Sequence, residues 1–445
     1  MKHVDVVVIG GSAAGLTAAI TARRHHPEKK VVLIRKEEQV LIPCGIPYIF
    51  GTVGSPEKNL IPDGMLSKND IELVIDEVTE IDRDAGEVKT VGGESFGYDR
   101  LVVATGSLPA MPPIPGFELE NVFPIFKDVD HLKHMQGVLK EVSDLAIIGG
   151  GFIGVEFADE CKKSFKANVS ILEMLPRCLM LAYDEEFCER AEELLKERGI
   201  TPMTDTKVKR VVGDGRVEGV ELADGRTMPA QAVIVGIGAV ANVTLAKNAG
   251  LHIGPTGGII VDRTMRTSDD RIYACGDCAE KVSFFGGRPS PLKLASIATA
   301  EARIAGANLF GTRRESIGTV GVWSTVIGET AFATAGLTES LAERHGYEFV
   351  VGAAEAPNRH PAGMPGLHSM KVKLVFEKRT GVILGGQVMG DKAAGEVINA
   401  ISACIQQRMT AEDIAVFQTG THPALTSSPV SYQFVNAAEA AIAVM

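Results

Sequence analysis

The chain has 445 residues, of which 45% are hydrophobic and 23% charged, and its formal net charge is -11. At roughly 150 residues per domain this length predicts about three domains with ample core. The acidic balance argues against a nucleic-acid phosphate binder, and no apolar run reaches the roughly 18 residues of a membrane span, so neither nucleic acid nor membrane is an expected partner.

The amino terminus passes from Met1-Lys2-His3 into an apolar strand, Val4 to Ile9, with no cleavage-site pattern, which predicts a cytoplasmic protein without a targeting segment. The turn Gly10-Gly11-Ser12-Ala13-Ala14-Gly15 and a helix, Leu16 to His25, come next. Val31 to Ile34 then closes a βαβ unit of nucleotide-binding length. In such a turn the first glycine permits the bend, the middle position lets backbone N–H groups approach a pyrophosphate, and the last lets helix and strand pack closely. Ser12 holds the middle position here. Arg35 stands at the end of the second strand, where an acid usually accepts a ribose hydroxyl.

The Pro-rich stretch Pro109 to Pro115 reads as a linker out of the first domain. Beyond it the βαβ order repeats: strand Leu145 to Ile148, the complete turn Gly149-Gly150-Gly151-Phe152-Ile153-Gly154, helix Val155 to Phe165 and strand Val169 to Leu172. Glu173 ends that strand. An acid there bonds the 2′-hydroxyl and repels a 2′-phosphate, so Gly149, Gly151, Ile153, Gly154 and Glu173 predict an NADH site in preference to an NADPH site. From Trp323 onward strands (Lys371 to Phe376, Val382 to Met389) alternate with a helix, Ala393 to Arg408, as in an antiparallel interface module.

Two further signatures are Ala104-Thr105-Gly106-Ser107 after an apolar strand and Ala274-Cys275-Gly276-Asp277. With this ordered set of four motifs the chain resembles the pyridine nucleotide-disulfide oxidoreductases across essentially its whole length. The resemblance implies an α/β, glutathione-reductase-like architecture: two Rossmann-like dinucleotide-binding domains, for FAD and NAD, plus a C-terminal α+β dimerisation domain. The implied domains are residues 1–115 and 246–320 for FAD, 116–245 for NAD and 321–445 for the dimer. FAD is expected at Gly10, Ser12, Ala13, Gly15, Arg35, Thr105, Gly106, Gly276 and Asp277, with Asp277 on the ribitol; the alternative for Asp277 is a helix N-cap. Gly238 joins the NAD set. Glu156 either approaches the nicotinamide or is a surface helix carboxylate. Cys275 and Cys278 form a CxxC without a second ligand pair, so no metal site is expected.

The redox centre is expected at Leu41-Ile42-Pro43-Cys44-Gly45-Ile46-Pro47-Tyr48, where prolines and a glycine stiffen the backbone and a following helix would favour thiolate. The family's disulfide reductases carry a second cysteine five positions on, and Ile49 stands there. Cys44 therefore resembles the active cysteine of the single-cysteine branch: coenzyme A-disulfide reductases, polysulfide or persulfide reductases, and NADH oxidases. Oxidases of the branch have a histidine where this chain has Ala13, which disfavours oxygen chemistry. Coenzyme A-disulfide reductases resemble this chain at Arg24 and Lys68, cations suited to coenzyme A phosphates, but their third-domain tyrosines are missing from Pro361 to Met364 and from Gln418 to His422. His422, in Thr-His-Pro, is either a general acid from the partner subunit or a loop histidine packed at a homodimer interface. The expected activity is NADH-driven, FAD-dependent reduction of a sulfur substrate (polysulfide, coenzyme A persulfide or coenzyme A disulfide) at Cys44. The alternatives are an NADH oxidase and a flavoprotein electron carrier to a partner protein.

Overall fold

The computed structural model describes residues 2–445. Packing divides the described residues into two compact units: residues 2–112, 124–140 and 237–319 form one, and residues 113–123, 141–236 and 320–445 the other.

The first unit is built on a mainly parallel sheet. Lys2–Ile9 lies between Val31–Arg35 and Ser95–Val103, with Ile9 level with Ile34 on one side and Val103 on the other. Glu72–Ile75 and Ile272–Ala274 extend it in parallel, and Glu87–Thr90 and Val78–Asp82 add an antiparallel edge. Val31–Arg35 is buried along its whole length, as expected of a strand covered on both faces. The Ala13–His25 helix covers one face with Ala14, Ala18, Ala19 and Ala22; these small residues let the Ala295–Asn308 helix lie close against it. Residues 110–114 carry neither helix nor strand.

In the second unit Ile200–Met203, Asn168–Leu172, Asp144–Ile148 and Ala232–Val235 lie side by side in parallel. Its C-terminal part is an antiparallel sheet in the order Val322–Ile327, Thr330–Gly336, Ile383–Gly390, Ser369–Glu377, Phe349–Pro357. The amphipathic helices Ala394–Gln406 and Gln433–Ile442 cover it. The antiparallel sheet with helices expected past Trp323 is therefore present, with strand ends one or two residues from those read in the sequence. A buried cation joins the second unit's two parts: Lys373 Nζ lies 2.9 Å from Asp184 and 2.8 Å from Glu186, at the start of the Glu185–Glu197 helix.

Candidate active site and dinucleotide turns

Both glycine turns adopt one conformation. Gly10 and Gly149 have φ of +111° and +105°, values that side chains avoid. A Cβ on Gly15 would collide with the Gly10 carbonyl oxygen, and one on Gly154 with that of Gly149. The helices that follow start at Ser12 and Gly151 with no side-chain cap and no acid in the first turn. Their first backbone N–H groups thus have no internal acceptor competing with an anion, which is what a pyrophosphate needs. The donor set fits two dinucleotides.

Behind each turn stands the residue that ends the second strand. Glu173 is buried and accepts from Gly150 N–H at 2.6 Å and Leu175 N–H at 2.7 Å, which fixes a carboxylate beside the turn. Arg35 occupies the matching place, its stem against Gly11. Its guanidinium grips Asp63 with two bonds, 2.6 and 2.9 Å, and also donates to the carbonyls of Glu37 and Glu38. The carboxylate paired with the guanidinium behind the first turn is Asp63, supplied from 28 residues away.

The Ala-Thr-Gly and Ala-Cys-Gly-Asp segments converge on this first turn. A Cβ on Gly276 would press on the Ala14 methyl. Thr105 Oγ1 donates to the Asn242 carbonyl at 2.6 Å, and Asn242 N–H donates to Gly106 at 2.9 Å. Asp277 lies in a turn, not at a helix start, and accepts from Ser107 Oγ at 2.7 Å, with Lys127 Nζ 3.2 Å from that hydroxyl. The Gly276 N–H is held by Glu301 at 2.9 Å, and Glu301 is paired with Lys281 at 2.8 Å in full burial; burial raises the Glu301 carboxyl despite that cation. Asp63, Lys127 and Glu301 had no sequence signal, since each acts on a partner distant in the chain; Ser107 belonged to a motif, but its bond to Asp277 spans 170 residues. Gly238 lies beside the ribbon formed by Ser107–Pro109 and Ala239–Ala241, its carbonyl accepting from Ala110 N–H at 3.0 Å.

Cys44 is exposed and sits within a 3₁₀ turn, Pro43–Gly45, that is followed by a second, Pro47–Phe50. Two short 3₁₀ turns replace the α-helix expected after the cysteine, so a long helix dipole does not act on the thiol. The loop is fixed from outside instead. Buried Asn59 donates through Nδ2 to the Ile42 carbonyl at 2.9 Å and exchanges a backbone bond with Ile42, and any side chain at Gly45 would strike it. Gln136 Nε2 donates to the carbonyls of Ile49 and Gly54 at 3.1 and 3.0 Å. Ile49 is fully buried, and all seven cysteines are outside disulfides.

Arg24 and Lys68 are both exposed; bonds from Arg23 to the Asn69 carbonyl (3.1 Å) and to Asp70 (2.9 Å) bring their chain segments side by side. His422 is exposed, and Ala424 N–H donates to its Nδ1 at 3.2 Å, which leaves Nε2 to carry the proton of the neutral ring. Its loop is tied to the neighbouring one, since His360 N–H donates to Pro423 and His360 Nδ1 lies 3.0 Å from the Thr426 carbonyl. Glu156 is no surface carboxylate. It is largely buried and accepts from Thr325 Oγ1 at 3.0 Å; burial pushes its carboxyl up to about 7.

Paired dinucleotide turns, the Ala-Thr-Gly and Ala-Cys-Gly-Asp segments packed at the first of them and a stiffened cysteine loop are the features of a two-nucleotide oxidoreductase. Comparison with known proteins agrees: the family model described as pyridine nucleotide-disulphide oxidoreductase matches residues 4–302, and that family's dimerisation domain matches residues 322–432. The chain belongs to this family, and it is a nicotinamide-dependent flavoprotein oxidoreductase with FAD and a nicotinamide dinucleotide as cofactors. It is 33% identical over 83% of both chains to the NAD(P)H coenzyme A polysulfide/persulfide reductase of Pyrococcus horikoshii. It is 31% identical over 84% of both chains to an NADH oxidase of Methanocaldococcus jannaschii. Among solved structures, a NAD-dependent persulfide reductase from A. fulgidus superposes with a TM-score of 0.91 at 31% identity, covering 98% of this chain and 83% of that one. No helix among the described residues is long and apolar enough to cross a membrane.

Proposed function

We propose that the protein uses NADH to reduce a sulfur–sulfur bond in a small polysulfide, persulfide or disulfide, with Cys44 as the sole protein thiol in the reaction. The observation that carries this reading is the exposed Cys44 in a loop clamped by Asn59, with buried Ile49 at the position of the family's second cysteine. The thiolate attacks one sulfur of R–S–S–R′ and releases R′–S⁻, leaving R bound to Cys44 as a mixed disulfide. Two electrons then cleave that bond to R–S⁻ and the Cys44 thiolate. FAD held by Gly10, Ser12, Ala13, Gly15, Thr105, Gly106, Gly276 and Asp277 supplies the relay of those two electrons from the nicotinamide. The proton for the departing sulfur comes from water or from the imidazolium form of His422, which returns to the neutral ring, in the partner subunit of a homodimer.

Glu173 supports NADH over NADPH, because its buried carboxylate would oppose a 2′-phosphate. Arg35 serves the FAD site through Asp63 and not as a sugar acceptor. Exposed Val416, Leu425 and Val430, at 81%, 71% and 86%, support a homodimer formed through the C-terminal module. Arg24 and Lys68 supply the charge for coenzyme A phosphates, and the reduced thiols support a cytoplasmic setting. The domain division is that of the family, with the FAD-binding part interrupted by residues 116–245 and resuming from 246 to 320.

The test is reoxidation of the anaerobically NADH-reduced enzyme by polysulfide, coenzyme A persulfide, coenzyme A disulfide and oxygen, followed by stopped-flow flavin absorbance. A sulfur compound outpacing oxygen by tenfold or more supports the reading; oxygen as the fastest oxidant replaces it with the oxidase reading that the Methanocaldococcus relative's name carries.

A further inference from the structure

The C-terminal module reads in the sequence as an interface, yet its first strand reaches the helix that follows the second glycine turn. Thr325, 3% exposed, donates to Glu156 Oε1 at 3.0 Å. Two residues earlier, on the same side of the Val322–Ile327 strand, the Trp323 ring lies nearly parallel to that of Phe152, at 8° and 6.1 Å between centroids. Tyr183 closes a third side, 5.9 Å from the Phe152 ring, with its hydroxyl buried and lacking any hydrogen-bond partner.

A largely buried carboxyl and an orphan hydroxyl are costly to a fold that uses them only for packing, since each loses hydration without full compensation. Groups in that condition next to a dinucleotide turn fit a polar ligand. An amide matches both, its NH₂ donating to a carboxylate and its oxygen accepting from a hydroxyl.

We propose that the C-terminal module completes the nicotinamide end of the NAD site, with Thr325 as a positioning residue that holds the Glu156 carboxylate toward the carboxamide. This rests on the assignment of the second glycine turn to NADH. The ionisable groups around Glu156 are Glu160 on its own helix and Tyr183 from the segment ahead of the Glu185–Glu197 helix; the strand side presents Thr325. Burial and Glu160 raise the Glu156 carboxyl, and the Thr325 hydrogen bond opposes them. Removal of the Thr325 donor therefore raises it further, so the carboxylate forms only at higher pH.

The experiment measures binding of tetrahydro-NAD, which keeps the carboxamide but gives up no hydride, and of ADP-ribose, which lacks the nicotinamide, to the oxidised holoenzyme between pH 5.5 and 9. In the wild type, tetrahydro-NAD affinity is expected to rise through about pH 7 while ADP-ribose affinity stays level. Thr325→Val should weaken tetrahydro-NAD about tenfold near pH 7.5, as expected for one hydrogen bond to a charged group, and move the transition to higher pH. It should leave ADP-ribose unchanged. Thr325→Ser should restore both values, and Thr325→Val should have no further effect in a Glu156→Gln background. Equal effects on the two ligands, no effect on either, or a loss that persists with Glu156→Gln overturns the proposal. Wild-type protein that binds neither ligand overturns the NADH assignment itself, which is a distinct result.

Discussion

The two glycine turns have the same backbone and opposite electrostatics. At the second, a buried carboxylate, Glu173, bonds the turn directly; at the first, a buried guanidinium, Arg35, fills the equivalent place and reaches outward to Asp63. Shared backbone geometry therefore reports only that a pyrophosphate fits. The residue behind the turn decides how the sugar next to it is met, and a chain with two copies can change one without disturbing the other.

The largest expected effect tests the shared part. Gly15→Ala and Gly154→Ala each drive a methyl into a carbonyl oxygen, so the first should yield protein purified without flavin. The second should retain flavin absorbance but bind NADH at least about a hundredfold more weakly in equilibrium titration, a loss of about 2.7 kcal/mol or more. Equal damage to both cofactors by either change would break the picture of two independent turns. A smaller effect separates the residues behind them: Glu173→Arg should shift the ratio of kcat/KM for NADH over NADPH by tenfold or more toward NADPH, read in steady-state assays. Smaller again, Arg35→Ala leaves Asp63 half exposed without its cation and should lower the thermal midpoint by several degrees, consistent with the loss of about 1–3 kcal/mol. NADH affinity should not change with it.

How far these contrasts were legible in the sequence depends on the range over which each residue acts. The glycine turns could be read because strand, turn and helix are contiguous and their steric demands local. Glu173 was legible for the same reason, as the residue that ends a strand. Arg35 was visible as an anomaly, but its partner Asp63 comes from another part of the fold. The distance is greater for Thr325, 169 residues from Glu156, and nothing in a strand of an apparent interface module marks one threonine as a partner of the NAD helix. Around Cys44 the stiff backbone was legible from its prolines and glycine, whereas the helix expected after it is a pair of 3₁₀ turns. Pro47 and the tie from Gln136 to Ile49 and Gly54 hold that segment in short turns, and the tie depends on a side chain 87 residues away.

The central claim is that one thiol, on a loop clamped by Asn59, takes up the sulfur that the reduced enzyme then releases. The direct measurement compares wild type and Cys44→Ser in two half-reactions under anaerobic conditions: flavin reduction by NADH, and reoxidation of the reduced enzyme by a persulfide. The account predicts that the first rate stays within about twofold and that the second falls by more than about a hundredfold, a barrier increase of about 2.7 kcal/mol. A Cys44→Ser protein that is reoxidised by the persulfide as fast as the wild type would contradict it.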